Sequence, residues 1–351
     1  MKQVLNFALV IVLFASCKKI SREEIRISNE PTGSNISANI QPVSAYRWVQ
    51  MAVPPFTNAH IYDDASDNIV FSLEGDIYCV TGKYSTSQWY KFNASTKQWQ
   101  YQPSVNYSFA SSHHPSFHQF IFSYQNKVYT GLANSGESNY NNDFKSFDPV
   151  TYTIVQLAPF PGNDCRDFTS FVIGNKGYIL GGINPSMGVI NQLWEYDFTT
   201  NQWANKGGSP VGARADATAI VLDGKAYIGL GYDIVTFNNQ DVKLYKNDWV
   251  LYNPSSPYSA IKAHFAGAKR SKAKGFVIDG NIYLGFGLNA ASGFNDFWKY
   301  NPSSNTWVQQ AGYTGNSTVN NWNTSAFSIG STGYVVKGNL TELYKFTNSQ
   351  F

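Results

Sequence analysis

The feature that most constrains this chain is a unit of about fifty residues that returns six times. Its clearest copy runs Phe171-Val172-Ile173-Gly174-Asn175-Lys176-Gly177-Tyr178-Ile179-Leu180-Gly181-Gly182, then Asn191-Gln192-Leu193-Trp194-Glu195-Tyr196-Asp197 and Asn201-Gln202-Trp203. Two further copies are nearly as plain, centred on Ala219 to Gly229 with Asn247 to Pro254, and on Gly275 to Gly285 with Asn295 to Trp307. Weaker copies hold Tyr78, Tyr129 and Tyr334. The marker tyrosines Tyr78, Tyr129, Tyr178, Tyr227, Tyr283 and Tyr334 lie 51, 49, 49, 56 and 51 residues apart, a regularity that chance does not supply.

Each unit reads as strands joined by tight turns. Asp223-Gly224 and Asp279-Gly280 suit a two-residue hairpin that needs positive φ, and the alternation of Phe276, Ile278, Ile282 and Leu284 lines blade faces with apolar side chains. Aromatics make up 16% of the chain and charged residues only 14%, a composition that favours strands over helices. A single four-stranded sheet cannot cover both of its faces, so six such sheets are expected to pack side by side around a channel. Trp203 and Trp307 are expected to be buried between blades. The last unit ends too early to hold its outer strand, and Tyr46-Arg47-Trp48-Val49-Gln50 resembles the missing piece. The chain is therefore expected to be all-β, a six-bladed propeller over residues 43–351 whose last blade is closed by an N-terminal strand.

The Gly-Gly, Asn-Asp/Gln-aromatic-Trp and distal Trp pattern resembles the kelch family. The resemblance implies a kelch-type propeller, and the family includes sugar-acid mutarotases such as N-acetylneuraminate epimerase, galactose-oxidase-like copper enzymes and protein-binding modules. Fold alone does not choose among them.

Ahead of the repeats, Lys2 and the apolar run Val4–Phe14 read as an export signal over residues 1–16. Ala15 and Ser16 before Cys17 resemble a lipobox, and Ser-Cys-Lys-Lys resembles lipoproteins of the Bacteroidetes. That resemblance implies lipidation of Cys17, with 17–42 a polar tether and a lipid anchor holding the exported chain at an outer membrane or on a membrane facing the periplasm. Cys79 and Cys165 are expected to be free thiols. With 26 basic against 23 acidic residues and no dense basic tract after the signal, nucleic acid is not an expected partner.

The candidate site is the mouth of the channel. Arg166, Arg214 and Arg270 precede their marker tyrosines by 12, 13 and 13 residues, so three guanidiniums are expected around it, suited to an anion. Asp167 and Asp216 would meet sugar hydroxyls, and the long excursion 232–247 offers Tyr232 and Asp233 for stacking and hydrogen bonding. The structural alternative is that the arginines hold blade carbonyls. Noncatalytic binding of a glycan or an envelope protein is the leading expectation. The alternative is a sugar-acid mutarotase with an Arg clamp and Asp216 or Glu195 as the proton-transfer group. His113, His114 and His118 are the one histidine cluster; no acidic or cysteine motif accompanies them, and no metal or cofactor is expected.

Overall fold

Hydrophobic runs of five residues followed by a positive-φ pair fold into hairpins, and two hairpins in succession make a blade. Asp223 and Gly224 have φ of 50° and 67°, and Asp279 and Gly280 have φ of 48° and 68°, both pairs turning an inner strand onto the second. The computed structural model describes residues 46–53, 69–81, 87–93, 95–105, 120–131, 142–162, 165–256, 259–315, 324–337 and 342–347. Six four-stranded antiparallel sheets result.

From the axis outward, blade one is Ile69–Leu73, Asp76–Thr81, Ser87–Asn93 and Gln98–Val105, and blade two is Phe120–Tyr124, Lys127–Gly131, Phe144–Asp148 and Thr153–Gln156. Blade three is Thr169–Ile173, Lys176–Leu180, Leu193–Asp197 and Gln202–Asn205. Blade four is Thr218–Leu222, Lys225–Gly229, Trp249–Tyr252 and Ala260–Ile261. Blade five is Lys274–Ile278, Asn281–Gly285, Phe297–Asn301 and Thr306–Gln310. Blade six takes Ser325–Ile329, Thr332–Val336 and Leu343–Thr347 from the C-terminal part of the chain and Arg47–Met51 from the N-terminal part.

The N-terminal strand closes the last blade as expected, in a register that sets Trp48 opposite Phe346 and Gln50 opposite Tyr344. Each inner strand touches the inner strands of both neighbours, the first against the sixth included, so the ring is shut.

All six marker tyrosines fall on second strands and are buried. The core lies between blades, in clusters that each draw on two successive sheets; Phe171 and Tyr178 of blade three, for example, pack with Ile228 and Val250 of blade four. The approach is close enough that a Cβ on Gly333 would sit 2.2 Å from the Phe276 ring of the preceding blade. Cys79 and Cys165 are both buried and not joined to each other. Trp203 and Trp307 are half-buried rather than fully enclosed, a correction with a simple cause: they lie on outer strands, where one side of the sheet edge meets solvent.

The diglycine motif also has a physical reading. Its second glycine, at Gly182, Gly231 and Gly287, has positive φ, and a Cβ there would come within 2.8, 2.4 and 2.3 Å of the carbonyl oxygens of Arg166, Ala215 and Ser271. Only glycine permits that approach. The first position tolerates Leu230 and Phe286, which explains why several copies lack the full pair.

Candidate functional site

The carbonyl contacts just described also set the alignment of the segments that lead into the inner strands. Arg166, Ala215 and Ser271 each make an isolated bridge, to Ile183, Tyr232 and Leu288, and so occupy one repeat position. Arg214 and Arg270 stand one place earlier, where blade three has Cys165. The three arginines are therefore not equivalent, which corrects the expectation drawn from their spacing to the tyrosines.

Arg214 and Arg270 are buried, and their donors are committed to their own blades. Arg214 forks onto Asp248 at 2.7 and 2.9 Å and donates to the carbonyls of Leu230 and Val211. Arg270, fully buried, donates to Asp296 at 2.8 Å and to the carbonyls of Phe286 and Ala268, with Phe294 stacked 4.0 Å from its guanidinium carbon. Burial would raise the Asp296 carboxyl, but the bonds from Arg270 and Trp298 outweigh it and hold its pKa below the ordinary value. Blade three replaces both partners together: Gln192 stands where Asp248 and Asp296 do, and accepts the Trp194 indole N–H as Asp296 accepts that of Trp298. In blade six the acid is Glu342, which accepts from Tyr313 at 2.8 Å, and the nearby cation is the buried Lys337, set over the rings of Phe286 and Tyr313. Burial pushes the Lys337 ammonium down to about 8, with Glu342 opposing.

A different set of side chains gathers at the axis. One place beyond the bridged residues, Asp167, Asp216 and Lys272 share a repeat position, all with left-handed backbone, at φ of 56°, 50° and 56°. That conformation lets the backbone link blade to blade: the Asp216 N–H donates to the Asp167 carbonyl at 2.6 Å and the Lys272 N–H to the Asp216 carbonyl at 3.1 Å. Thr169 and Thr218 add hydroxyl bonds to the carbonyls of Ala217 and Ala273 in the next blades. The side chains then converge. The Lys272 ammonium lies 3.1 Å from Asp216 and 3.7 Å from Asp167, and the Arg166 guanidinium 3.8 Å from Asp167.

Lys274 takes the place of Thr169 and Thr218 on the inner strand; it is open to solvent yet ringed by protein, as a side chain inside a channel must be. Enclosure and the charge of Lys272 push its pKa down. Burial raises the Asp216 carboxyl, with Asp167 adding to the shift and Lys272 opposing it. Burial works against Lys272 too, but Asp216 and Asp167 outweigh it and its pKa is raised. Two carboxyls and three cations thus share one end of the channel, an arrangement able to hold an anion and to move a proton beside it.

The excursion 232–247, expected as a loop, is a hairpin of Tyr232–Phe237 paired with Gln240–Tyr245. Loop composition concealed the alternation that forms it. Tyr232 is buried at its base among Ile183 and Ala215, and the fields of Asp216 and Asp167 add to burial in raising its pKa. Lys243 lies 4.3 Å over its ring. The Asp233 carboxylate accepts from the N–H of Ile234.

Glu195 is on the third strand of blade three, where it accepts from Tyr178 at 2.8 Å and lies 3.6 Å from Lys206; it belongs to the blade three–four junction and not to the axis. His113, His114, His118 and Cys17 lie outside the described residues. Reasoning from sequence missed Lys272 and Lys274. Lys272 stands 11 residues before Tyr283, as Asp167 and Asp216 stand 11 before Tyr178 and Tyr227, so the same count from the tyrosine would have found it.

The kelch-repeats domain described for KLHDC2, KLHL20 and DRC7 matches residues 163–338, half of the chain. The chain belongs to the kelch-repeat family. Among curated kelch relatives, N-acetylneuraminate epimerases of Shigella flexneri serotype 5b and Escherichia coli strain K12 are each 33% identical over 116 residues. That stretch spans 32% of this chain and 30% of those proteins. The solved structure of YjhT superposes with a TM-score of 0.53 at 18% identity, over 62% of this chain and 71% of that one, and so supports the kelch propeller fold.

Proposed function

We propose that the channel mouth binds a sugar bearing a carboxylate and exchanges its anomers. The observation that carries this reading is the gathering of Asp167 and Asp216 with Lys272, Lys274 and Arg166 in one cluster at the channel mouth, in a chain locally similar to N-acetylneuraminate epimerases. The cations hold the carboxylate. One carboxyl protonates the ring oxygen as the other takes the proton of the anomeric hydroxyl; the bond from the anomeric carbon to the ring oxygen breaks and a carbonyl forms. Reclosure on the opposite face reverses each transfer. Asp216 suits the donor role, because burial keeps it protonated to higher pH than an ordinary aspartate. The buried pairs Arg214–Asp248 and Arg270–Asp296 support the site from behind by fixing the segments that carry Asp216 and Lys272.

The test is anomer exchange of N-acetylneuraminate followed by NMR. The wild-type protein is expected to exceed the buffer rate and Asp216→Asn to lose about 100-fold or more of that acceleration, the scale of one general acid. A wild-type rate equal to buffer, with sugar bound, returns the site to the noncatalytic glycan-binding role expected first.

Export and lipid anchoring rest on residues 1–17. The topology is compatible with them: Tyr46 donates to Asp279 in the turn that follows the inner strand of blade five, whereas Lys272 precedes that strand. Tyr46 therefore lies on the face of the propeller away from the cluster.

A further inference from the structure

The outer edges of the blades are wedged by tryptophans. Trp48, Trp99, Trp203 and Trp307 each donate an indole N–H to a carbonyl in the linker of the preceding blade, at Ala311, Ala52, Ala158 and Ala263, over 2.9–3.2 Å. Trp203 sits among Phe144, Phe160 and Tyr196, and Trp307 among Trp249, Phe265 and Tyr300. In register these wedges face Phe346, Phe92, Tyr196 and Tyr300 on the third strands.

Blade two puts the apolar Ile154 opposite Phe147 at this position, and blade four departs further. Leu251 pairs with Ala260, so one residue further Ser259 stands opposite Tyr252, in the tryptophan position. The surrounding aromatics are reduced as well. Leu193 occupies the place of Phe144 and Trp249 at the start of the third strand. Ser209, bonded to Asn191, occupies that of Phe160 and Phe265, which bond to Asn142 and Asn247. At this junction a cavity of about 470 Å³ opens, lined by Leu193, Lys206, Pro210, Tyr252, Pro254 and Ser259 among others. That volume falls within the roughly 300–1,000 Å³ of small-molecule sites. The floor is built: Tyr252 packs edge-on to Phe171 and Tyr178, and Glu195 below accepts the Tyr178 hydroxyl. The Lys206 ammonium, 3.6 Å from Glu195 and 40% exposed, is at the rim.

We propose that the seat left by the missing tryptophan is a second binding site, on the outer edge of the ring, for a planar aromatic carboxylate about the size of an indole. The ring takes the place that Trp203 and Trp307 take at their junctions, between Tyr252 and Leu193, and the carboxylate meets Lys206. Nothing in this assignment depends on the chemistry at the axis.

The experiment is a titration of the full chain with indole-3-acetate and with indole, read by NMR. Saturable binding of the acid is expected, with Ser259→Trp abolishing it by supplying the ring from the chain itself and raising the melting temperature. Lys206→Gln, at an exposed position that does not endanger folding, is expected to weaken the acid about tenfold and leave indole unchanged, the effect of losing one charged hydrogen bond. Absence of saturable binding of either compound overturns the proposal. So does binding that persists in a folded Ser259→Trp protein, or a Lys206→Gln protein in which acid and indole change alike.

Discussion

Blades four and five are the most instructive pair in the molecule, because they agree where closure demands it and part elsewhere. Both carry an arginine forked onto an aspartate, Arg214 with Asp248 and Arg270 with Asp296, and both place a positive-φ glycine against the carbonyl that follows the arginine. At the axis, Asp216 in one becomes Lys272 in the other; at the outer edge, Trp307 in one becomes Ser259 in the other. Positions where a Cβ would meet a neighbouring carbonyl, or where a buried charge needs its partner, admit few residues. Positions whose side chains merely face the channel or the rim are free to vary, and that is where charge and cavity are found.

The comparison can be broken most severely at the seam. Deleting residues 43–52 removes the strand that pairs Trp48 with Phe346 and opens the ring. Loss of a cooperative thermal transition is expected, and a deleted chain that melts like the parent would refute closure by that strand. Next in size, Asp296→Ala strands the fully buried Arg270 charge, at an expected cost of ~3–5 kcal/mol in denaturant unfolding. Asp248→Ala should cost less, because Arg214 retains a little solvent contact; equal or reversed costs would show that the two clamps are not matched as described.

At the outer edge, Trp307→Ala should cost about 3 kcal/mol, the lower end of the range for a large aromatic because the side chain is half-buried. Ser259→Ala should be close to neutral by the same measurement, and a cost near that of Trp307→Ala would mean the blade four edge is not vacant of packing.

The smallest effect expected above zero concerns the sixth blade, where Lys337 replaces the arginine clamp. Its folded pKa of about 8 lies below its ordinary value of 10.5, so between those values the unfolded chain binds the extra proton and stability rises with pH. The rise should be on the order of 1–3 kcal/mol and absent in Lys337→Met; a variant that keeps the slope would place its origin elsewhere.

Much of this fold was legible before the structure. The marker tyrosines, the Asp-Gly turns and Trp48 report on packing and backbone conformation, which repeat because each blade meets the same neighbours. The site was less legible for the same reason. Arg166 lies one residue from the true arginine position, 12 rather than 13 before its tyrosine, and that one-residue shift carries a side chain from the clamp to the mouth; the spacing held the difference, and the shared residue type masked it. Lys272 was overlooked because it breaks the run of aspartates that made Asp167 and Asp216 conspicuous. The apolar alternation of Val235, Phe237, Val242 and Leu244 was hidden among Asn and Asp residues until the hairpin register set them on one face.

The most direct measurement is a crystal structure of the protein with N-acetylneuraminate bound. The account predicts the sugar's carboxylate within hydrogen-bond distance of Lys272 or Lys274 and its anomeric centre beside Asp216. A sugar seated away from the axis, with that cluster untouched, would contradict it.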